Sequence, residues 1–105
     1  MKKKSLRSFT WQSYEPYKDS EGTTTEAYSD DSSTDQALFW YTTSKLQAEL
    51  YGERINDMLN MHYYGDLAIQ VHDLITFDGV AYTVIGLKKY HRFVEMELER
   101  NVKFN

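Results

Sequence analysis

Three histidines, His62, His72 and His91, are the side chains best suited to bind a metal or carry a proton near neutral pH. A metal site needs two ligands at helix or hairpin spacing and a third to close the set. His62 and His72 flank Asp66, and Asp73 follows His72, but no pair has the HExxH or HxH form. The three read instead as the edge of an apolar face, a strand end and an exposed turn. Carboxylates are abundant, so chance pairs are expected. Glu95, Glu97 and Glu99 alternate along one segment, with roughly 7 Å between successive side chains if it is a strand. Glycosidic chemistry needs two carboxylates facing each other across a cleft. A row on one face is a solvated row, or a surface for basic partners. No GxSxG, P-loop or GxGxxG pattern occurs, and five glycines leave little for phosphate-cradling loops. The chain has no cysteine, which excludes disulfides, thiolate metal sites and cysteine nucleophiles. The residues point away from an enzyme and imply no cofactor.

The side chains that remain are aromatic, 15% of the chain. They include Trp11, Tyr14, Phe39, Trp40, Tyr51, Tyr82 and Tyr90. Such residues fill small cores, anchor protein interfaces, or stack on single-stranded nucleic acid. A net charge of −4 argues against the last. The charge is unevenly placed. Lys2, Lys3, Lys4 and Arg7 form a basic tip over residues 1–7, and seven acids from Glu15 to Asp35 then follow with only Lys18 among them. Both runs read as solvated surface or as contact elements. No run approaches the roughly 20 apolar residues of a membrane span, and the basic start is not followed by the apolar run of a signal peptide. The expectation is a protein made in the cytosol, with no membrane partner.

The length suits one domain over residues 1–105. Asp78-Gly79 lies between two β-rich runs and fits a two-residue type I′ turn. That turn pairs Phe77 with Val80 and Ile75 with Tyr82, so these four and Val84 share one apolar face. A one-residue slip would scatter them. In Val94–Glu99 apolar residues alternate strictly with glutamates, giving a half-buried strand. Residues 66–102 thus read as an antiparallel meander, with strands near 67–71, 74–77, 80–86 and 93–99 and a loop Lys88-Lys89-Tyr90-His91-Arg92. Earlier, Ser8–Tyr14 reads as a strand that Pro16 ends. Asp19–Gly22 is turn chemistry, and Thr23–Thr25 a short strand. Residues 28–36 form an acidic polar loop. Ala37–Thr42 is an aromatic strand. Leu46–Tyr51 reads as a strand, though Leu46 and Leu50 also suit a helix. Ile55, Met58, Leu59 and His62 have the spacing of one short amphipathic helix. The expected fold is all-β and mainly antiparallel: a small barrel or sandwich with a long inserted polar loop and one short helix.

From about Leu46 to Val102 the chain resembles the small head–tail connector proteins of long-tailed bacteriophages, also called head-closure, stopper or head–tail adaptor proteins. Three features carry the resemblance. The first is Ala48-Glu49-Leu50-Tyr51-Gly52-Glu53-Arg54 with the following Met58. The second runs from Ile69 to Val84, with Asp73, Ile75, Phe77, Gly79, Tyr82 and Val84 in the pattern. The third is His91 to Arg100, of form H-x-x-x-E-x-E-L-x-R. The resemblance implies a β-barrel or sandwich in the virion neck. It implies a ring of copies, commonly twelvefold, meeting a portal or adaptor protein on one side and a tail-side connector on the other. Such a ring closes the channel after packaging and docks the tail, with DNA passing only through its lumen. On that basis Asp30, Asp31 and Asp35 are candidates for a channel-facing loop. Trp40, Tyr51, Lys88, Lys89, Tyr90 and His91 are candidates for subunit or neighbour contacts. The alternatives are a tail-completion or tail-terminator ring and, in a different class, a β-barrel ligand-binding module.

Overall fold

The computed structural model describes residues 5–41 and 57–104. Six strands close into an antiparallel barrel in the order β1-β4-β5-β8-β7-β6. They are β1 (Arg7–Gln12), β4 (Ser33–Tyr41), β5 (Met58–Tyr63), β6 (Leu74–Phe77), β7 (Val80–Lys89) and β8 (Val94–Arg100). Strand β1 closes the ring by pairing with both β4 and β6. Two short strands, β2 (Tyr17–Lys18) and β3 (Thr24–Thr25), form a separate two-stranded sheet. Each strand of the barrel thus has a neighbour on both sides, while staggered ends such as Gly86–Lys89 of β7 pair with β8 alone among the described strands.

Period-two alternation fills the interior. Phe9, Leu59, Met61, Tyr63, Ile75, Val84, Met96 and Leu98 are all buried in one cluster. Phe77 pairs with Val80 and Ile75 with Tyr82, as the Asp-Gly turn predicts. Asp78 and Gly79 both have positive φ, 55° and 79°, the backbone of a type I′ turn. A register shift between Val84 and Gly86 leaves Ile85 as an extra residue, so that Leu87 meets Met96 and packs on the core. Without that bulge, Leu87 would fall on the outer face.

Several expectations are corrected. Met58–Tyr63 is a strand, not part of a helix. Leu59, Met61 and Tyr63 alternate while Ile55, Met58, Leu59 and His62 have helical spacing, and the ladders to β4 and β8 decide between the two periods. Among the described residues there is no α-helix; a 3-10 turn covers Val102–Phe104. Residues 67–71 form no strand, because side chains take up their backbone donors. Leu67 N–H donates to Tyr63 Oη at 2.9 Å, and Gln70 N–H to Asp73 Oδ2 at 2.8 Å. Lys88 and Lys89 end β7 instead of lying in a loop. Arg7 belongs to β1, where its guanidinium lies 4.6 Å from the centroid of the Phe77 ring. Ser33–Gln36 belongs to β4, which shortens the polar loop at its C-terminal end. The segment 46–51, with Tyr51, lies outside the described residues.

Pro16 does not end the pairing in its region. Ser29 N–H donates to Ser13 O, Glu15 N–H to Ala27 O, and Asp19 N–H to Thr23 O. Tyr14 bridges Tyr28, and Tyr17 pairs with Thr25. All share one antiparallel register, so residues 13–29 form a two-stranded arm. The hydrogen-bonded pairs fall on odd residues of the first strand, and Pro16 sits between them where no N–H is required.

Candidate docking surface

The outward residues of β4, β5 and β8 bring a continuous aromatic strip onto one wall. Leu38 pairs with His62, and His62 with Glu95, across three neighbouring strands. The Trp40 ring meets His62 edge-on at 4.6 Å, and His62 lies 4.6 Å from Phe93. Phe93 stacks on Tyr90 at 4.8 Å and contacts Tyr64 at 5.7 Å. Trp40 is 40% exposed, Tyr90 42% and Tyr64 52%. These are large fractions for rings already packed on one another. The β7–β8 turn holds the strip's end in place, since Tyr90 N–H donates to Phe93 O at 2.8 Å.

Charge surrounds the strip unequally. Lys88, Lys89, His91 and Arg92 are all exposed around Tyr90, and Lys88 Nζ lies 5.2 Å from the Tyr90 ring centroid. Glu95 is the cross-strand partner of Lys88, and its Oε2 lies 3.9 Å from His62 Nε2. A shallow depression between Gly86, Leu87, Lys88, Tyr90, Glu95 and Glu97 adjoins it. Aromatic rings and arginine are enriched in protein-binding surfaces.

Of the contact candidates, Trp40, Lys88, Lys89, Tyr90 and His91 are gathered at or beside this strip. Sequence reasoning missed His62, Tyr64 and Phe93. His62 was assigned to a helical face, and reading Met58–Tyr63 with period two would have placed it outward with Trp40. The alternation from residue 93 to 99 marks Phe93 only as the start of a strand.

The acidic candidates separate. Asp30 and Asp31 are exposed on the connection from the arm to β4, with Asp31 N–H donating to Ser29 Oγ at 3.2 Å. Asp35 is not in that loop. It lies in β4 opposite Phe9, and its carboxylate accepts the Tyr63 hydroxyl at 2.6 Å. That hydroxyl, then the Gln36 N–H, holds the Asp35 carboxyl below the usual carboxylate range. Burial, then the Asp35 bond, pushes the Tyr63 phenol up to about 12. The pair pins one end of the barrel.

A second carboxylate organises the base of the arm. Asp73 is buried and accepts from Trp11 Nε1–H, Tyr14 N–H and Gln70 N–H, each at 2.8 Å. With three donors, it is a structural hub. Among the described residues no three His, Asp or Glu side chains converge as metal ligands, and no helix is long and apolar enough to cross a membrane.

No family model matches the chain, and no curated protein matches it. Among solved structures, it is similar to the solution structure of protein SF1141 from Shigella flexneri 2a, with a TM-score of 0.66. The match covers 92% of this chain and 93% of that one at 18% identity, a likeness that shows the fold alone.

Proposed function

We propose that this chain is a structural virion protein of a long-tailed bacteriophage, one subunit of a ring at the head–tail interface. The ring closes the portal channel after DNA packaging and docks the tail. The observation that carries the reading is the exposed strip Trp40–His62–Phe93–Tyr90, with its cationic rim, on the wall of a closed barrel. Exposed aromatic surface of this kind is expected where a neighbouring protein covers it. The likeness of Ile69–Val84 and His91–Arg100 to connector proteins supplies the setting. In such a ring Asp30 and Asp31 are the loop acids proposed to face the channel, where negative charge lets DNA slide without adhering.

The test is binding of the purified chain to DNA-filled, tailless heads and, separately, to free tails of the phage that carries its gene. Binding to heads is expected, weakened at least tenfold by Trp40→Ala with Tyr90→Ala. Binding to tails alone would replace the head-side role by tail completion. Binding to neither would overturn the reading.

A further inference from the structure

The two charged ends of the molecule are complementary in sign and distant from each other. The arm together with its connection to β4, residues 13–32, carries six acids and only Lys18. Glu15, Asp19, Glu21, Glu26, Asp30 and Asp31 are all exposed on it, and so is Tyr17, at 56%. The end of β7 and the β7–β8 turn carry Lys88, Lys89, His91 and Arg92 with no acid between them. Among the described residues none of these four enters an ion pair, whereas on the arm Glu26 pairs with Lys103 at 3.5 Å.

The fold prevents one chain from bringing the two ends together. The basic turn joins β8 at Val94, which pairs with Lys89. The arm is held at the other end of the same strand, where Asn101 Nδ2 lies 3.5 Å from Tyr28 Oη and Lys103 reaches Glu26. The seven residues of β8 lie between, about 20 Å at strand rise. Each end is therefore available to the opposite end of a second copy.

We infer that the basic turn of one copy docks on the acidic arm of the next, with Lys88, Lys89 and Arg92 facing Glu15 and Glu21. The occupant is a second copy of this chain. The two surfaces differ, so the contact is heterologous, and repeating it closes a ring or extends a filament. This deepens the proposed function, resting on it for the ring while assigning the faces that meet.

The experiment is sedimentation velocity with native mass spectrometry at low and high ionic strength. It uses wild type, a turn variant (Lys88→Glu, Lys89→Glu, Arg92→Glu), an arm variant (Glu15→Lys, Glu21→Lys) and their equimolar mixture. Circular dichroism confirms that each is folded, and Lys89→Gln with Arg92→Gln provides a milder pair. Wild type should self-associate and weaken steeply with salt. Each reversal should cost at least tenfold in association, and the mixture should recover it. Wild type that stays monomeric at low salt overturns the inference. So do variants that associate as well as wild type, or a mixture no better than its parts. Heads that bind wild type while the reversed variants still self-associate would remove this contact and leave the proposed function standing. Intact charge-dependent self-association with no binding to heads or tails would do the opposite.

Discussion

Asp73 and the Asp35–Tyr63 pair show how single side chains hold a small barrel without disulfides. The Asp73 carboxylate is buried and satisfied by three N–H donors from three segments. Removing it leaves those donors unpaired, each a desolvation cost. Asp73→Ala is expected to lose about 2–4 kcal/mol, read as a lowered midpoint in urea with an unchanged slope. Tyr63→Phe removes both the bond to Asp35 and the acceptor for Leu67 N–H, and should cost about 1–3 kcal/mol. Its pH dependence has a definite sign. The Asp35 carboxyl is depressed in the folded state, so its contribution is present above the ordinary carboxylate pKa and lost as pH falls through the lowered value. The Tyr63 phenol is raised, so its contribution is whole below pH 10 and lost as pH rises towards about 12. The stability gap between wild type and Tyr63→Phe should therefore be widest at neutral pH and narrow at both extremes. A gap that does not change with pH would contradict the assignment.

At the scale of elements, the Asp-Gly hairpin gives the sharpest prediction. A Cβ on Gly79 would meet nothing within 4 Å, so any cost of substitution is backbone strain at φ +79°. Gly79→Val should destabilise by about 1–2 kcal/mol, and Gly79→Asn by clearly less, since asparagine tolerates left-handed backbone. Equal melting temperatures for the two would mean the turn is not type I′. Gly65 is the opposite case. An added Cβ there would run into the Tyr63 hydroxyl and ring and the Asp35 carboxylate, so Gly65→Ala should break that pair.

The same hairpin explains what could be read from sequence. Residues 74–84 were legible because turn chemistry and alternation agreed on one register, and Val94–Arg100 because its alternation is strict. The all-β, antiparallel class followed from these, whereas the choice of barrel over sandwich depends on β1 pairing with both β4 and β6. Met58–Tyr63 was not legible, since its apolar spacing satisfies two periods and only the partner strands choose between them. Residues 67–71 alternate like a strand, but two side-chain oxygens captured their N–H groups, and such capture depends on distant residues. Of the candidate surface, the basic turn and Trp40 were readable. The joining of Trp40 to Phe93 through His62 required the strand order β4-β5-β8.

For the whole molecule, a closed barrel offers neighbours its walls, turns and arm. The aromatic strip is exposed, so Trp40→Ala with Tyr90→Ala should change thermal stability little while weakening docking. The combination separates a docking role from a packing role. The central claim is tested most directly by reconstitution. Filled heads from a phage lacking this gene, mixed with tails and purified protein, should yield infectious particles with wild-type protein and at least tenfold fewer with the Trp40→Ala, Tyr90→Ala variant. Full infectivity without the protein, or none with it, would contradict the account.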